Sequence, residues 1–263
     1  MPLLKIGDIP CELAQKTAEG LSRAYDEFVE NEDGGRSSRK PGIHASELGC
    51  PRKVVYSLLG TEKHGKIKRF WRQRFQFGKY AHQMIQDDFA RMAAASNGAM
   101  TFEAEVPISG DLQELAREFS LESACDGVFT FFDKFSAPFL RIGLEIKTES
   151  PSEYEKLTAP KPDHVRQAHV YMKVLDLPMM WFMYINKGNQ NNTASVKPFL
   201  VDFDPTIWAG LELEFRDRLE EAALGQLPEG KESIVCEFCS YAWTCQPAIL
   251  NKNKVKATLR RPV

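Results

Sequence analysis

The chain has 263 residues, 43% hydrophobic and 27% charged, with a formal net charge of −2 at pH 7. It is long enough for one large domain with a full core, or for a core with a small satellite lobe, and no apolar run approaches the roughly 20 residues that span a bilayer. The near-neutral total excludes a polycation that coats nucleic acid nonspecifically, so any nucleic-acid surface must be local.

The first forty residues read as an amphipathic helix followed by the polar stretch NEDGGRSSRKPG, which cannot bury itself and is expected to be a loop or strap. The N-terminus lacks an apolar segment followed by a small-residue cleavage site, so a cytoplasmic location is expected. In HASELGCPRKVVYSLLG, Pro51 suits the first turn of a helix and Gly60 its end, with Cys50 just before it. Lys63, Lys66, Lys68, Arg69, Arg72 and Arg74 then crowd one short stretch, and a helical pattern from Arg74 to about Ala95 carries Phe77, Ala81, Met84, Ile85 and Phe89. TFEAEVPI, SLESACDGVFTFF and FLRIGLEIKTE read as strands. A helix through VRQAHVYMKVL leads to MMWFMYIN, a strand expected to be covered on both faces, then to the strand VKPFLVDF and a charged helix from about Pro205 to Leu224. The order of elements predicts an α/β core with a mixed sheet.

Strand alternation in GLEIKTES puts Glu145 and Lys147 on one face and Ile146 on the other. Asp126 lies among Ala124, Cys125, Gly127 and Val128, an unusual place for a charge without a partner or a metal. Two neighbouring carboxylates repel, and a hard divalent cation relieves that repulsion while binding both. A surface cross-strand pair with Asp126 opening an Asp-Gly turn is the other reading. Upstream, Gly78 and His82 stand one helical turn apart, where glycine would allow close approach and the imidazole could supply a nitrogen ligand. Downstream, Gln167 and Tyr171 share a helix face.

The ordered set Gly-x3-His, Asp, Glu-x-Lys and Gln-x3-Tyr, from about His44 to Tyr171, resembles the RecB-like branch of the PD-(D/E)XK nucleases. The resemblance implies a restriction-endonuclease-like core with helices flanking a mixed sheet. It also implies that His82, Asp126, Glu145 and the Ile146 carbonyl bind manganese or magnesium, that Lys147 orients or activates the attacking water, and that Gln167 and Tyr171 hold substrate or support the site. Phosphodiester hydrolysis needs an acidified water, a Lewis acid and charge stabilisation, which cations and a lysine can supply. His44, His64, His164 and His169 read as ordinary polar groups, and Glu47 is left out of the ligand set.

Cys236, Cys239 and Cys245 form C-x2-C-x5-C, and three ligands leave one position for a fourth, for which Cys50 is the best candidate. A cytoplasmic chain disfavours disulfides. Spacing alone leaves zinc and a cubane cluster open. One distant cysteine joined to C-x2-C-x5-C is similar to the iron–sulfur clasp of RecB-like nucleases, among them the fourth CRISPR-associated protein family and the AddB nuclease domain, which implies [4Fe–4S].

KHGKIKRFWRQRFQFGKYAH interleaves cations with Phe70, Trp71, Phe75 and Phe77, so Lys68, Arg69 and Arg72 are candidates for contacting single-stranded or frayed DNA; helix core aromatics with a solvated basic face are the alternative. The organisation expected is an extension over residues 1–40 and a nuclease domain over 41–263 that includes the clasp at 236–245. The resemblance implies a DNA exonuclease, preferring single strands and running 5′→3′, in recombination, repair or CRISPR-like processing. A structure-specific endonuclease and a non-cutting DNA-end binding subunit are the alternatives, and partnership with a second copy or with recombination or CRISPR proteins is left open.

Overall fold

A computed structural model describes residues 16, 19–21, 23–24, 39–63, 69–188, 196–230 and 232–245. The helix and strap expected over the first forty residues fall almost wholly outside these, as do His64, Lys66, Lys68 and the basic C-terminal tail.

Five strands, β1 (Met100–Ser109), β2 (Glu122–Phe132), β3 (Pro138–Glu149), β4 (Met179–Asn186) and β5 (Val196–Asp202), form one sheet in the order β1-β2-β3-β4-β5. The β3–β4 pair is parallel and the other pairs are antiparallel, so the sheet is mixed as the element order predicts. The parallel pair needs a crossover, supplied by a short helix (Pro151–Lys156) and a longer one (Pro162–Val174).

In chain order the helices are α1 (Pro51–Leu58), α2 (Arg69–Ala94), α3 (Glu114–Glu118), α4 (Pro151–Lys156), α5 (Pro162–Val174) and α6 (Pro205–Ala223). Four of them, α1, α4, α5 and α6, begin on proline, whose fixed φ suits the first turn and whose missing N–H would have had no helical partner. The short α3 and α4 have no counterpart in the sequence reading. Helix α2 starts earlier than expected, at Arg69.

Alternation along β4 divides the core. Met180, Phe182 and Tyr184 join the larger cluster with Ala168 and Met172 of α5 and with Leu211 and Phe215 of α6. Trp181, Met183 and Ile185 face the other way, towards Ile85 and Phe89 of α2. The first face of β4 is buried and the second only partly covered, so this strand is less enclosed than its apolar run suggests. Ile85 and Phe89 are the core residues of α2, whereas Phe77 and Met84 are 69% and 61% exposed, which corrects their reading as part of the apolar face. No helix among the described residues is long and apolar enough to cross a membrane.

Candidate active site and cysteine centre

The antiparallel ladder of β2 and β3 ends at Gly127 and Leu144. Beyond it the Ile146 N–H donates to a side chain, Asp126 Oδ2, at 2.6 Å. The carboxylate stands in for the missing ladder acceptor, so the strands part there without leaving a buried N–H unpaired. Because the N–H and C=O of one strand residue point to the same edge, the Ile146 carbonyl is directed into the same opening. Gly127 belongs to this region by necessity: a Cβ there would lie 2.4 Å from the Phe102 ring.

Helix α2 closes the opening from one side. His82 Nδ1 lies 3.3 Å from Asp126 Oδ1. Burial, the strongest single influence on His82, opposes its charge, but the Asp126 hydrogen bond and the charges of Asp126 and Glu145 outweigh it and raise the imidazole pKa. Gly78 also faces β3, yet a Cβ there would make ordinary contact with Thr148 Oγ1 at 3.6 Å. The close approach expected of this glycine is therefore not required.

Glu145 and Lys147 do share a face. Lys147 Nζ is 2.6 Å from Glu145 Oε1 and donates to Gln167 Oε1 at 3.0 Å. Gln167 Nε2 in turn donates to the Tyr171 hydroxyl at 2.8 Å, which fixes the amide orientation. Glu145 is only 2% exposed and its Oε2 is buried without a partner. Burial pushes its carboxyl up to about 7, with Lys147 pulling it down and Asp126 adding to the rise.

Two carboxylates, an imidazole and a backbone carbonyl form a donor set suited to a divalent cation. A buried carboxylate oxygen lacking a donor is costly unless a proton or cation meets it, and Glu145 Oε2 is such an atom. The residues fit a metal on those grounds. Among the described residues no three His, Cys, Asp or Glu side chains are gathered into a finished cage. Lys147 and the Ile146 N–H each take one lone pair of a carboxylate oxygen, so a cation binding through those atoms would use the other.

Sequence reasoning missed three neighbours. Gln86, one turn after His82 and buried, donates to the Asp126 carbonyl oxygen at 2.8 Å; its helical spacing from His82 was the available signal. Glu105 accepts from the same amide. His164, read as ordinary, contacts the Tyr184 hydroxyl through Nδ1 at 2.7 Å. That hydroxyl also accepts the Lys161 N–H at 3.0 Å. His169 is fully buried: it takes the N–H of Asp204, the residue before α6, on Nε2 and meets the Val165 carbonyl of its own helix through Nδ1.

Burial, with Lys147 and Lys161 nearby, lowers His164 to about 3. Its folded pKa is thus below the unfolded value of about 6.5, so the folded state binds fewer protons between those values. The stabilisation is complete above pH 6.5 and is lost as pH falls towards 3. Chemical denaturation at pH 7.5 and 5.5 is expected to show the wild type losing about 1 kcal/mol more than His164→Gln. Equal losses would mean that His164 titrates normally.

Cys50 is the residue before α1, Cys236 lies in the 3-10 turn Ile234–Phe238, Cys239 follows that turn, and Cys245 lies in the next helical turn. All four are free thiols. Burial raises the Cys239 pKa, with the nearby Cys50 and Cys236 adding to the rise against the Tyr241 N–H and Lys53. Burial likewise raises Tyr56, with Cys245, Cys239 and Cys50 all contributing. The N-terminal part of α1 and the C-terminal segment are joined by direct contacts. Tyr56 and Tyr241 stack with centroids 5.4 Å apart, and buried Arg52 reaches the Pro228 carbonyl at 3.0 Å and Cys245 Sγ at 3.8 Å. Four thiols with N–H donors on two sulfurs suit a metal–thiolate centre chemically.

The aromatics before His82 divide. Trp71 and Phe75 pack on Phe238, between Cys236 and Cys239, at 4.6 and 5.5 Å. Phe70, Phe77 and Tyr80 are exposed, and Phe75 stays 42% exposed beside Phe238. Arg72, a candidate for contacting DNA, is buried, while Arg69 is partly covered and Lys79 exposed.

No protein-family model and no curated protein matches the chain. Among solved structures, LHK-Exo in complex with dAMP is similar at 15% identity and a TM-score of 0.49, over 71% of this chain and 90% of that one. The alkaline exonuclease LHK-Exo from Laribacter hongkongensis is similar at 14% identity and 0.48, over 72% and 91%. SSO0001 is similar at 14% identity and 0.46, over 86% and 96%. Likenesses at this level assign no family.

Proposed function

We propose that the chain is a divalent-metal-dependent deoxyribonuclease of the PD-(D/E)XK kind, acting on DNA ends. The observation that carries this reading is Glu145 beside Lys147 at 2.6 Å, with a second buried carboxylate oxygen unpartnered and Asp126 and His82 at the adjoining strand opening. In this reading His82, Asp126, Glu145 and the Ile146 carbonyl would hold manganese or magnesium, which would polarise a phosphoryl oxygen and acidify water. Lys147, held between Glu145 and Gln167, presents its ammonium to the charge that develops on the phosphate and orients the attacking water. Tyr171 secures Gln167 from behind.

Exposed Phe77 and Tyr80, with Lys79 between them, flank the turn of α2 that carries His82, a surface suited to unpaired bases and phosphates. Arg69 and Lys68 belong to the same proposed path, and Lys68 lies outside the described residues. The four cysteines are proposed to bind [4Fe–4S], with structural zinc as the alternative, within a nuclease domain over 41–263. A single-strand preference, 5′→3′ polarity and a cytoplasmic place of action belong to the same proposal.

The test is incubation with end-labelled linear and with circular single-stranded DNA, each with manganese, with magnesium and with chelator. Short products from the linear strand alone, abolished by chelator, are expected. A cut circle would point to an endonuclease, and full-length DNA with either cation would leave a DNA-end binding subunit.

A further inference from the structure

The β1–β2 ladder keeps one register from Met100 opposite Phe131 to Ser109 opposite Glu122, with Glu105 and Asp126 left out of the pairing. The sheet changes face at that point. Phe102 and Phe129 pack towards α2, whereas Val106 and Cys125, an even number of residues away, lie in the other core. Strict alternation would keep them on one side, so each strand turns over at the unpaired residue.

Glu105 makes this turn with φ +50 in a strand interior. The other non-glycine residues with positive φ among the described residues, Asn97, Ser120, Ser136 and Asp176, are short polar residues in turns and bends, where that conformation is common. Glycine would adopt it without strain, so the side chain is the feature that calls for an account.

That side chain ends on Gln86. Gln86 Nε2 donates to Glu105 Oε1 at 2.8 Å and to the Asp126 carbonyl at 2.8 Å. An amide can rotate to present either end, and only its NH2 end suits a carbonyl acceptor. A carboxylate on the same NH2 excludes the rotated form. Asp126 is then held at three points: its carbonyl by Gln86, one carboxylate oxygen by the Ile146 N–H and the other by His82.

We infer that Glu105 is a positioning residue: by fixing the Gln86 amide it fixes the backbone of Asp126 and so the direction of the Asp126 carboxylate. This rests on Asp126 serving as a metal ligand. Three readouts test it in the full chain: manganese affinity by calorimetry, kcat and KM on linear single-stranded DNA, and melting temperature. Glu105→Gly, which relaxes the backbone and removes the carboxylate, is expected to weaken manganese binding and lower kcat by about tenfold each, with KM for DNA unchanged and the melting temperature unchanged or raised. Glu105→Gln keeps an acceptor and is expected to stay within about threefold of wild type. Gln86→Met should reproduce the loss, and the double variant should lose no more than either single one.

Wild-type manganese affinity and kcat in Glu105→Gly would overturn the inference alone. So would single-variant losses that multiply, or a Glu105→Gly chain that melts much lower or fails to fold, since Glu105 would then serve the fold. A wild type that neither binds manganese nor cuts DNA overturns the nuclease reading and this inference with it.

Discussion

Lys147→Ala is expected to lower metal-dependent DNA cleavage by about a thousandfold while manganese still binds. Among the described residues the ammonium is the cationic side chain that touches Glu145, and in the proposed reaction it faces charge that exists fully only in the transition state. Removing one such stabilising donor costs on the order of 10²–10³ in rate, and the loss of the water's orienting group adds to it. The ground state behaves differently. Without Lys147 the Glu145 carboxylate loses the contact that occupies Oε1 and gains freedom to meet a cation, so metal affinity is expected to hold or rise. The fold is expected to tolerate the change, because in the metal-free protein the Glu145 carboxyl, already raised by burial, can take a proton in place of its partner; that proton competes with the cation, so manganese binding is compared at alkaline pH. Single-turnover cleavage and manganese calorimetry on the same sample separate these effects. An active variant would remove lysine from the mechanism, and lost metal binding would make its role structural.

The strand-borne part of this site was legible because period-two alternation is a local property. Glu145, Ile146 and Lys147 divide between faces as three consecutive strand residues must, and the Gln167–Tyr171 pair follows from helical spacing. Less local features were hidden. Phe77 and Met84 look like core in a helical pattern, but α2 covers the sheet with a narrow stripe through Ile85 and Phe89, and width cannot be read from spacing. Trp71 and Phe75 look like a stacking surface until Phe238, far along the chain, is found against them. Glu105 gives no sequence signal, since a left-handed residue in a strand is ordinarily announced by glycine. The lowered pKa of His164 required knowing that the fold buries it near Lys147 and Lys161.

Cys239→Ser is expected to damage stability more than any change at the proposed active site. The proposed cross-link between Cys50 and the C-terminal cysteines would close a loop of roughly 190 residues, which by the chain-entropy relation used for disulfides is worth about 5 kcal/mol, comparable to the whole stability of many domains. The damage should spread along a defined route. Phe238 lies between two of the cysteines and supports Trp71 and Phe75 at the start of α2, and α2 carries His82 and Gln86 to Asp126. Loosening the thiolate centre therefore frees one end of the helix that closes the strand opening. The expected result is loss of the absorbance near ~400 nm characteristic of iron–sulfur ligation, a much lower melting temperature and reduced manganese affinity in the same preparation. A colourless wild type with one equivalent of zinc would replace iron in this account and keep the destabilisation. A Cys239→Ser protein that melts with the wild type would show that the C-terminal segment is held by Arg52 and the Tyr56–Tyr241 stack without help from a metal.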